Sequence, residues 1–165
     1  MSIKKMSAIK LALVASIMSV TAQASDPAVE HLAEAIRFQT VSHQNSEQID
    51  YSVFVAFHQF LRETYPAVFD QLEVEVVADY SLVLTLPGSN TDLKPVLLDS
   101  HYDVVPVEPG TEDEWSHAPF SGVVADGYLW GRGAIDDKAS VIATMEALES
   151  LLLSGFTPER TLIFS

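Results

Sequence analysis

The 165-residue chain has no cysteine, and its basic side chains are scarce, with 9 lysines and arginines against 23 aspartates and glutamates. Without cysteine the fold cannot rely on disulfide bonds, whichever compartment it occupies. The formal charge of −14 excludes a protein that binds the phosphate backbone of nucleic acids, which needs a basic stripe to release counterions. The remaining composition, 48% hydrophobic and only 19% charged, is typical of one folded domain rather than of an acidic disordered tail.

The first 24 residues have the pattern of a secretory signal peptide. Three lysines precede an apolar stretch at residues 11–20, and the small-x-small sequence Ala22-Gln23-Ala24 follows it. That stretch is too short to cross a bilayer, which needs about 20 apolar residues, so we expect no stable membrane anchor. We therefore predict residues 1–24 as the signal peptide, cleavage after Ala24, and an exported, periplasmic or secreted product. Cleavage would leave 141 residues with 6 basic and 23 acidic side chains, a formal charge of −17.

The apolar spacing of the remaining chain predicts alternating helices and strands. A helix begins at Asp26-Pro27, a second runs from about Ser46 to Thr64 and must end before Pro66, and a third runs from about Lys138 to Ser154. Strands are predicted at residues 72–77, 81–86, 95–98 and 161–164, with a hairpin at 122–130 that turns at Asp126-Gly127. Residues 72–77 alternate as a half-buried strand does, and residues 95–98 are continuously apolar, which favours burial on both faces. The pattern indicates an α/β layered domain.

His101 and Asp103 come directly after the apolar run at 95–98. In α/β sheets the carboxyl ends of strands are where functional sites lie. An imidazole there can bind a metal through one nitrogen while a carboxylate holds the other N–H. This spacing alone is weak, because a His-x-Asp pair occurs by chance in many chains.

A second cluster, Gly131-Arg132-Gly133-Ala134-Ile135-Asp136-Asp137-Lys138, precedes the third helix. The glycines allow a tight turn or a close backbone approach. A phosphate site is excluded here because Asp136 and Asp137 would repel the anion. Taken with His101, an acid from this junction forms half of a site for a hard or borderline metal ion. The loop at residues 115–122 is expected to cap the site, with His117 as a loop residue and not a ligand.

Three motifs in order, SHYDVVPV, W-x-x-x-PF-x-G and DGYLWGRGAIDDK, resemble the zinc exopeptidase and deacylase family. That family includes carboxypeptidase S, aminoacylase, acetylornithine deacetylase and succinyl-diaminopimelate desuccinylase, and the carboxypeptidase S-like branch is the most similar. The segments Ile36–Ser42 and Gly155–Thr161 also fit that branch. The resemblance implies a layered catalytic domain with a mixed sheet flanked by helices, covering residues 25–165 as its N-terminal portion. A lid or dimerisation domain would be absent from this portion, and the sequence does not predict an oligomeric state.

The resemblance assigns roles to three residues. It implies that His101 binds one zinc ion, that Asp136 bridges two zinc ions, and that the catalytic Asp103 orients His101. It also implies a cis peptide bond between Asp136 and Asp137. The implied activity is hydrolysis of an amide bond next to a free carboxylate, in a small peptide or an N-acyl amino acid. Zinc is the implied metal, and cobalt or manganese would suit the same ligands.

The family's general base, a glutamate, and its later metal ligands do not appear in the sequence up to Ser165. We therefore expect this chain alone to bind zinc weakly and to hydrolyse nothing, because zinc normally has three or four protein ligands. A truncated remnant or a binding module without catalysis is the alternative. A weaker alternative is a calcium site at Glu112, Asp113 and Glu114, but no turn glycine of a calcium loop accompanies these acids.

Overall fold

The computed structural model describes residues 26–165, so the proposed signal peptide lies outside the described residues. Within that range the α-helices are α1 (Pro27–Arg37), α2 (Tyr51–Thr64), α3 (Pro66–Gln71) and α4 (Lys138–Leu153). Single 3₁₀ turns occupy Ser46–Gln48 and Glu112–Glu114. No helix in this part of the chain is long and apolar enough to span a membrane.

The predicted helix ends are confirmed for α1 and α4. The Asp26 carboxylate accepts a hydrogen bond from the Ala28 N–H at 3.1 Å, and Pro27 is the first helical residue. At the other end of the chain, Gly155 follows α4 with a φ of +78°, which is the left-handed conformation that ends many helices.

The second helix differs from its prediction at both ends. The segment from Ser46 forms only a 3₁₀ turn, and α2 starts at Tyr51 behind the capping carboxylate of Asp50. Pro66 does end α2, but it also opens α3, which the sequence analysis missed. The Glu149 carboxylate of α4 accepts the backbone N–H groups of Ala67 and Val68 at 3.1 and 3.0 Å. This cap comes from a distant helix, so local sequence could not indicate it.

Four strands form one mixed sheet in the order β1-β2-β6-β3. They are β1 (Glu73–Val77), β2 (Ser81–Leu86), β3 (Val96–Leu98) and β6 (Leu162–Phe164). The first three in this order pair antiparallel, and β3 pairs parallel to β6. A separate hairpin joins β4 (Val123–Ala125) to β5 (Tyr128–Trp130). Its predicted turn is confirmed, since Asp126 and Gly127 both have positive φ, as a tight hairpin turn requires.

One prediction about burial was wrong and another holds only in part, because β1 and β3 are the edge strands of this sheet. In β3, Val96, Leu97 and Leu98 are 38%, 61% and 40% exposed, not buried on both faces. The predicted alternation at residues 72–77 holds for buried Leu72 and partly buried Val74, and it is lost at Val76, which is 46% exposed. The alternation does occur in β2, which lies between two strands.

The hydrophobic core lies between the sheet and the helices, with α1 and α3 both packed against α4. Its fully buried side chains include Phe57, Val68, Leu84, Ile142 and Met145. The layered α/β architecture with a mixed sheet is therefore confirmed. It places the end of β3, the end of α1 and the start of α4 at one side of the domain.

Candidate metal centre

His101 lies just beyond β3, and each of its two ring nitrogens faces an acid. Nε2 is 2.9 Å from Oδ1 of Asp136. Nδ1 is 3.1 Å from both the carbonyl oxygen and Oδ1 of Asp103. The structure therefore brings together the three residues that the sequence analysis selected, although His101 and Asp136 are 35 positions apart along the chain.

The two acids favour the protonated form of this imidazole. Partial burial lowers the pKa of His101, but the hydrogen bond to the Asp103 carbonyl and the charges of Asp103 and Asp136 outweigh it, so the pKa is raised. The Asp136 side chain is 87% exposed and that of His101 is 51% exposed, so both are accessible to a cation from solvent.

Asp136 is carried by the turn that leads into α4. The peptide bond between Asp136 and Asp137 is cis, which confirms the prediction. Asp137 is the N-cap position of α4, and its carboxylate accepts a hydrogen bond from the Ser140 hydroxyl at 2.5 Å. The two neighbouring acids thus face different surroundings, and only Asp136 contacts His101.

Glycines bring this turn against the rest of the site. A Cβ atom at Gly133 would lie 2.5 Å from Cγ1 of Val104, and Gly133 has a φ of +83°. A Cβ atom at Gly131 would lie 2.4 Å from a methyl group of Ile36 in α1. Neither contact is compatible with a larger residue unless the neighbours move. The glycines therefore set how closely the Asp136 turn approaches the His101 segment.

The His101 segment is fixed from behind by Thr40, which is fully buried. Its hydroxyl donates to the carbonyl oxygen of Tyr102. Its own carbonyl oxygen accepts the Val104 N–H at 2.9 Å, and the Ser42 N–H donates to the Val104 carbonyl oxygen, also at 2.9 Å. The segment after α1 thus pairs with the segment after β3 like a short parallel ladder.

Tyr102 points away from the two acids and into the core. Its hydroxyl donates to the carbonyl oxygen of Tyr80 and lies 2.7 Å from Nε2 of His58. Burial, and secondarily the charge of Asp103, raise the pKa of Tyr102 to about 12, so the phenol stays protonated at neutral pH. Burial lowers the pKa of His58, which is 8% exposed. His58 is therefore a buried histidine with a hydrogen-bond partner, and it supports the segment that carries His101 from the core side.

Lys138, the last residue of the second motif, is 0% exposed. Its Nζ donates to the carbonyl oxygens of Ala35 and Phe38 at 2.8 and 2.6 Å. Burial lowers the pKa of Lys138 to about 7. The motif thus places an exposed acid and a buried amine two residues apart.

A cavity of about 350 Å³ opens beside these residues, lined by His101, Asp103 and Asp136 together with Trp115 and Arg132. The Arg132 guanidinium lies 5.1 Å from the centre of the Trp115 ring. His117 packs edge-on against Trp130 at 5.1 Å between ring centres. The expected capping loop therefore contributes Trp115 to the wall of the cavity.

The donor set fits a borderline divalent cation, although only two ligands are present. A tautomer with the proton on Nδ1, donated to Asp103, would leave Nε2 available to a cation held between it and the Asp136 carboxylate. Nε2 and Oδ1 of Asp136 are 2.9 Å apart, so both atoms could contact one cation. The described residues contain no group of three or more His, Cys, Asp or Glu that could hold a metal. In the acidic loop, the Glu112 carboxylate accepts the Gly110 N–H at 2.8 Å.

Similarity to known proteins places this layered α/β domain among metallopeptidase catalytic domains. Residues 97–165 match the model of peptidase family M20/M25/M40, and the chain belongs to that family. The resemblance to its carboxypeptidase S-like branch is confirmed by the curated relatives. The probable carboxypeptidase S-like 2 of Dictyostelium discoideum is 44% identical over 138 residues, which is 82% of this chain and 26% of that protein.

Two further relatives bear on function. Carboxypeptidase S of Saccharomyces cerevisiae is 40% identical over 144 residues, 83% of this chain and 25% of the relative. The mouse N-fatty-acyl-amino acid synthase/hydrolase PM20D1 is 40% identical over 134 residues, 80% of this chain and 26% of the relative. The chain thus spans about a quarter of the length of these relatives.

The solved structure of an M20 family metallo-carboxypeptidase from Sulfolobus solfataricus superimposes with a TM-score of 0.61 at 22% identity. That match covers 85% of this chain and 30% of the other. At this identity it supports the fold alone, and it agrees with the architecture described above.

Sequence reasoning missed the residues that hold the site from behind. Thr40, Tyr102 and Lys138 stand inside the quoted motifs, but only their exposed neighbours were assigned roles. For Tyr102 the available signal was its position between His101 and Asp103, which were assigned roles; Thr40 and Lys138 offered no such signal. Neither the burial nor the partners of these residues could be read without the fold.

Proposed function

We propose that this chain supplies metal ligands to an exported di-zinc hydrolase that cleaves an amide bond next to a free carboxylate, in a peptide or an N-acyl amino acid. The observation that carries the proposal is the position of His101 between Asp103 and Asp136 at the mouth of the cavity. The carboxypeptidase and N-fatty-acyl-amino acid hydrolase relatives support the substrate class.

In this mechanism His101 and Asp136 hold the metal and Asp103 orients His101. Zinc, when bound, would polarise the scissile carbonyl and lower the pKa of a water molecule. Asp103 keeps the proton on Nδ1 and leaves Nε2 free to bind. Cobalt or manganese would be accepted by the same imidazole and carboxylate.

With only two ligands among the described residues, the 165-residue chain alone is expected to bind zinc weakly and to lack turnover. This observation also favours the second candidate, a non-catalytic remnant or binding module. Zinc affinity separates the two, because a chain that supplies metal ligands should bind zinc through His101 and a remnant without a metal site should not, whereas neither candidate predicts hydrolysis by this chain alone.

The test uses zinc titrations followed by the ring-proton signals of histidine. We expect the His101 signals to move, and His101→Ala to abolish the strongest binding. His117→Ala is the matched control, because that ring packs on Trp130 outside the acid pair. Equal zinc affinity in the wild type and in His101→Ala would refute the proposed metal site, and turnover by the chain alone would refute the expected inactivity.

Export forms a separate part of the proposal, supported by the basic start, the apolar stretch and the Ala22-Gln23-Ala24 exit. Expression in a bacterial host followed by N-terminal sequencing of the periplasmic fraction tests it. We expect a product that starts at Ser25. A product that retains Met1 in the cytoplasm would contradict it.

A further inference from the structure

The ammonium group of Lys138 is buried without an acidic partner. Its Nζ donates to the carbonyl oxygens of Ala35 and Phe38, and it lies 5.2 Å from the centre of the Phe57 ring. No carboxylate in the described range 26–165 forms an ion pair with it. Its partners are therefore backbone carbonyls and an aromatic face.

Those carbonyls belong to one helix end. Ala35 lies in the last turn of α1, whose carbonyl groups have no partner within the helix, and Phe38 is the extended residue at its C-cap. The Phe38 carbonyl oxygen also accepts the Thr40 N–H at 2.9 Å. The same end carries the negative pole of the helix dipole, which favours a cation. Lys138 thus caps α1 from the first residue of another helix, about 100 positions along the chain.

The same residue closes the turn that carries Asp136. The Lys138 N–H donates to the carbonyl oxygen of Gly133 at 3.1 Å, so residues 133–138 form a closed loop. Gly133 lies against Val104, three residues beyond His101. The turn is consequently held at two points, by Val104 on one side and by the end of α1 on the other.

We infer that Lys138 is a positioning residue: through the end of α1 it holds the turn of Asp136 at the distance from His101 that metal binding requires. This inference rests on the proposed metal site for its functional part. Its structural part, the ordering of residues 134–137, is independent of metal and can be measured without it.

The first experiment measures amide hydrogen exchange in the metal-free 165-residue chain. Lys138→Met keeps the length of the side chain and removes its donors. We expect the amides of Ala134 and Lys138, which donate to the carbonyl oxygens of Gly131 and Gly133, to exchange about tenfold faster relative to the slowest amides of α4, because the turn loses one anchor. Leu152→Ala is the matched control, since it truncates a buried side chain at the far end of the same helix. It should speed exchange generally without a selective effect at the turn.

The second experiment measures Zn²⁺ affinity by titration of the same variants. Loss of a group that supports a metal ligand typically weakens affinity by about 10- to 100-fold, and we expect Lys138→Met to fall in this range. Leu152→Ala should stay within about twofold of the wild type. If Lys138→Met does not fold, Lys138→Gln, which keeps one donor group, takes its place.

A chemical rescue completes the test, because the chain has no cysteine of its own. Lys138→Cys, alkylated in urea with bromoethylamine and refolded, regains an amine on a chain of lysine's length. Recovery of slow exchange at the Ala134 and Lys138 amides would support the inference. Unchanged exchange in Lys138→Met, or a change no more selective than in Leu152→Ala, would overturn it. If the wild type binds no zinc, the proposed metal site fails, and the exchange data alone decide the role of Lys138.

Discussion

Removing one oxygen atom from Tyr102 should loosen the segment that carries His101. In Tyr102→Phe the ring keeps its contacts with Phe54 and Phe57, whose ring centres lie 6.2 and 5.0 Å away. The hydroxyl, however, no longer donates to the Tyr80 carbonyl or contacts His58. The substitution therefore isolates the two hydrogen bonds from the packing of the ring.

The size of the effect follows from the partners that remain. A buried polar group left without its partner costs about 1–3 kcal/mol. His58 is 8% exposed, and its ring keeps a hydrogen bond with the Tyr80 backbone, so we expect a total loss of about 1–2 kcal/mol. For a domain of this size that corresponds to a fall in Tm of roughly 3–8 °C.

The assay is thermal and urea unfolding followed by circular dichroism. Tyr128→Phe is the matched control, because it makes the same chemical change on a residue that is 68% exposed, and it should alter stability by less than about 0.5 kcal/mol. If Tyr102→Phe and Tyr128→Phe had the same stability, the hydroxyl of Tyr102 would not support the site, and the argument from its two partners would be refuted.

Three further substitutions test other parts of the same framework. Because burial lowers the pKa of His58, the wild type should lose stability relative to His58→Gln as the pH falls below about 6.5. Urea unfolding of both proteins across pH 5–8 measures this, and an equal dependence of their unfolding free energies on pH would contradict it. Gly133→Ala should lower the free energy of unfolding by about 2–4 kcal/mol, because its Cβ would clash with Val104. Gly127→Ala is the control, since Gly127 has a similar φ of +79° but lies in open space, and it should cost about 1 kcal/mol. Equal losses in Tm for the two variants would exclude the clash. Glu149→Ala removes the cap of α3 and should cost about 1 kcal/mol in urea unfolding, and an unchanged midpoint would show that the cap is unimportant.

The parts that local sequence could predict are those with local causes. The start of α1 follows from the Asp26 carboxylate and Pro27, and the hairpin turn follows from Asp126-Gly127, since both signals act within a few residues. The pairing of His101 with Asp136 was expected from two strand-end motifs and from the family resemblance. Its geometry agrees with that expectation, and its role in binding metal stays a prediction.

The parts that sequence could not predict have distant causes. The α3 helix depends on the carboxylate of Glu149, about 80 residues away. The exposure of β3 depends on its place at the sheet edge, which the apolar run at 95–98 does not reveal. Apolar composition reports that a strand can be buried on both faces, whereas strand order decides whether it is.

The support of the candidate centre comes largely from outside the region that matches the family model. That region starts at residue 97, yet the partners of Tyr102 and Lys138 include Thr40, Ala35 and Phe38. The end of α1 and the strand-like segment after it thus hold both halves of the centre, one through a hydroxyl and the other through two carbonyl groups. A change in this segment should therefore alter the distance between His101 and Asp136 without touching either residue. For this reason the segment at residues 35–41 is part of the candidate metal centre, in the same way as the motifs that carry its proposed ligands.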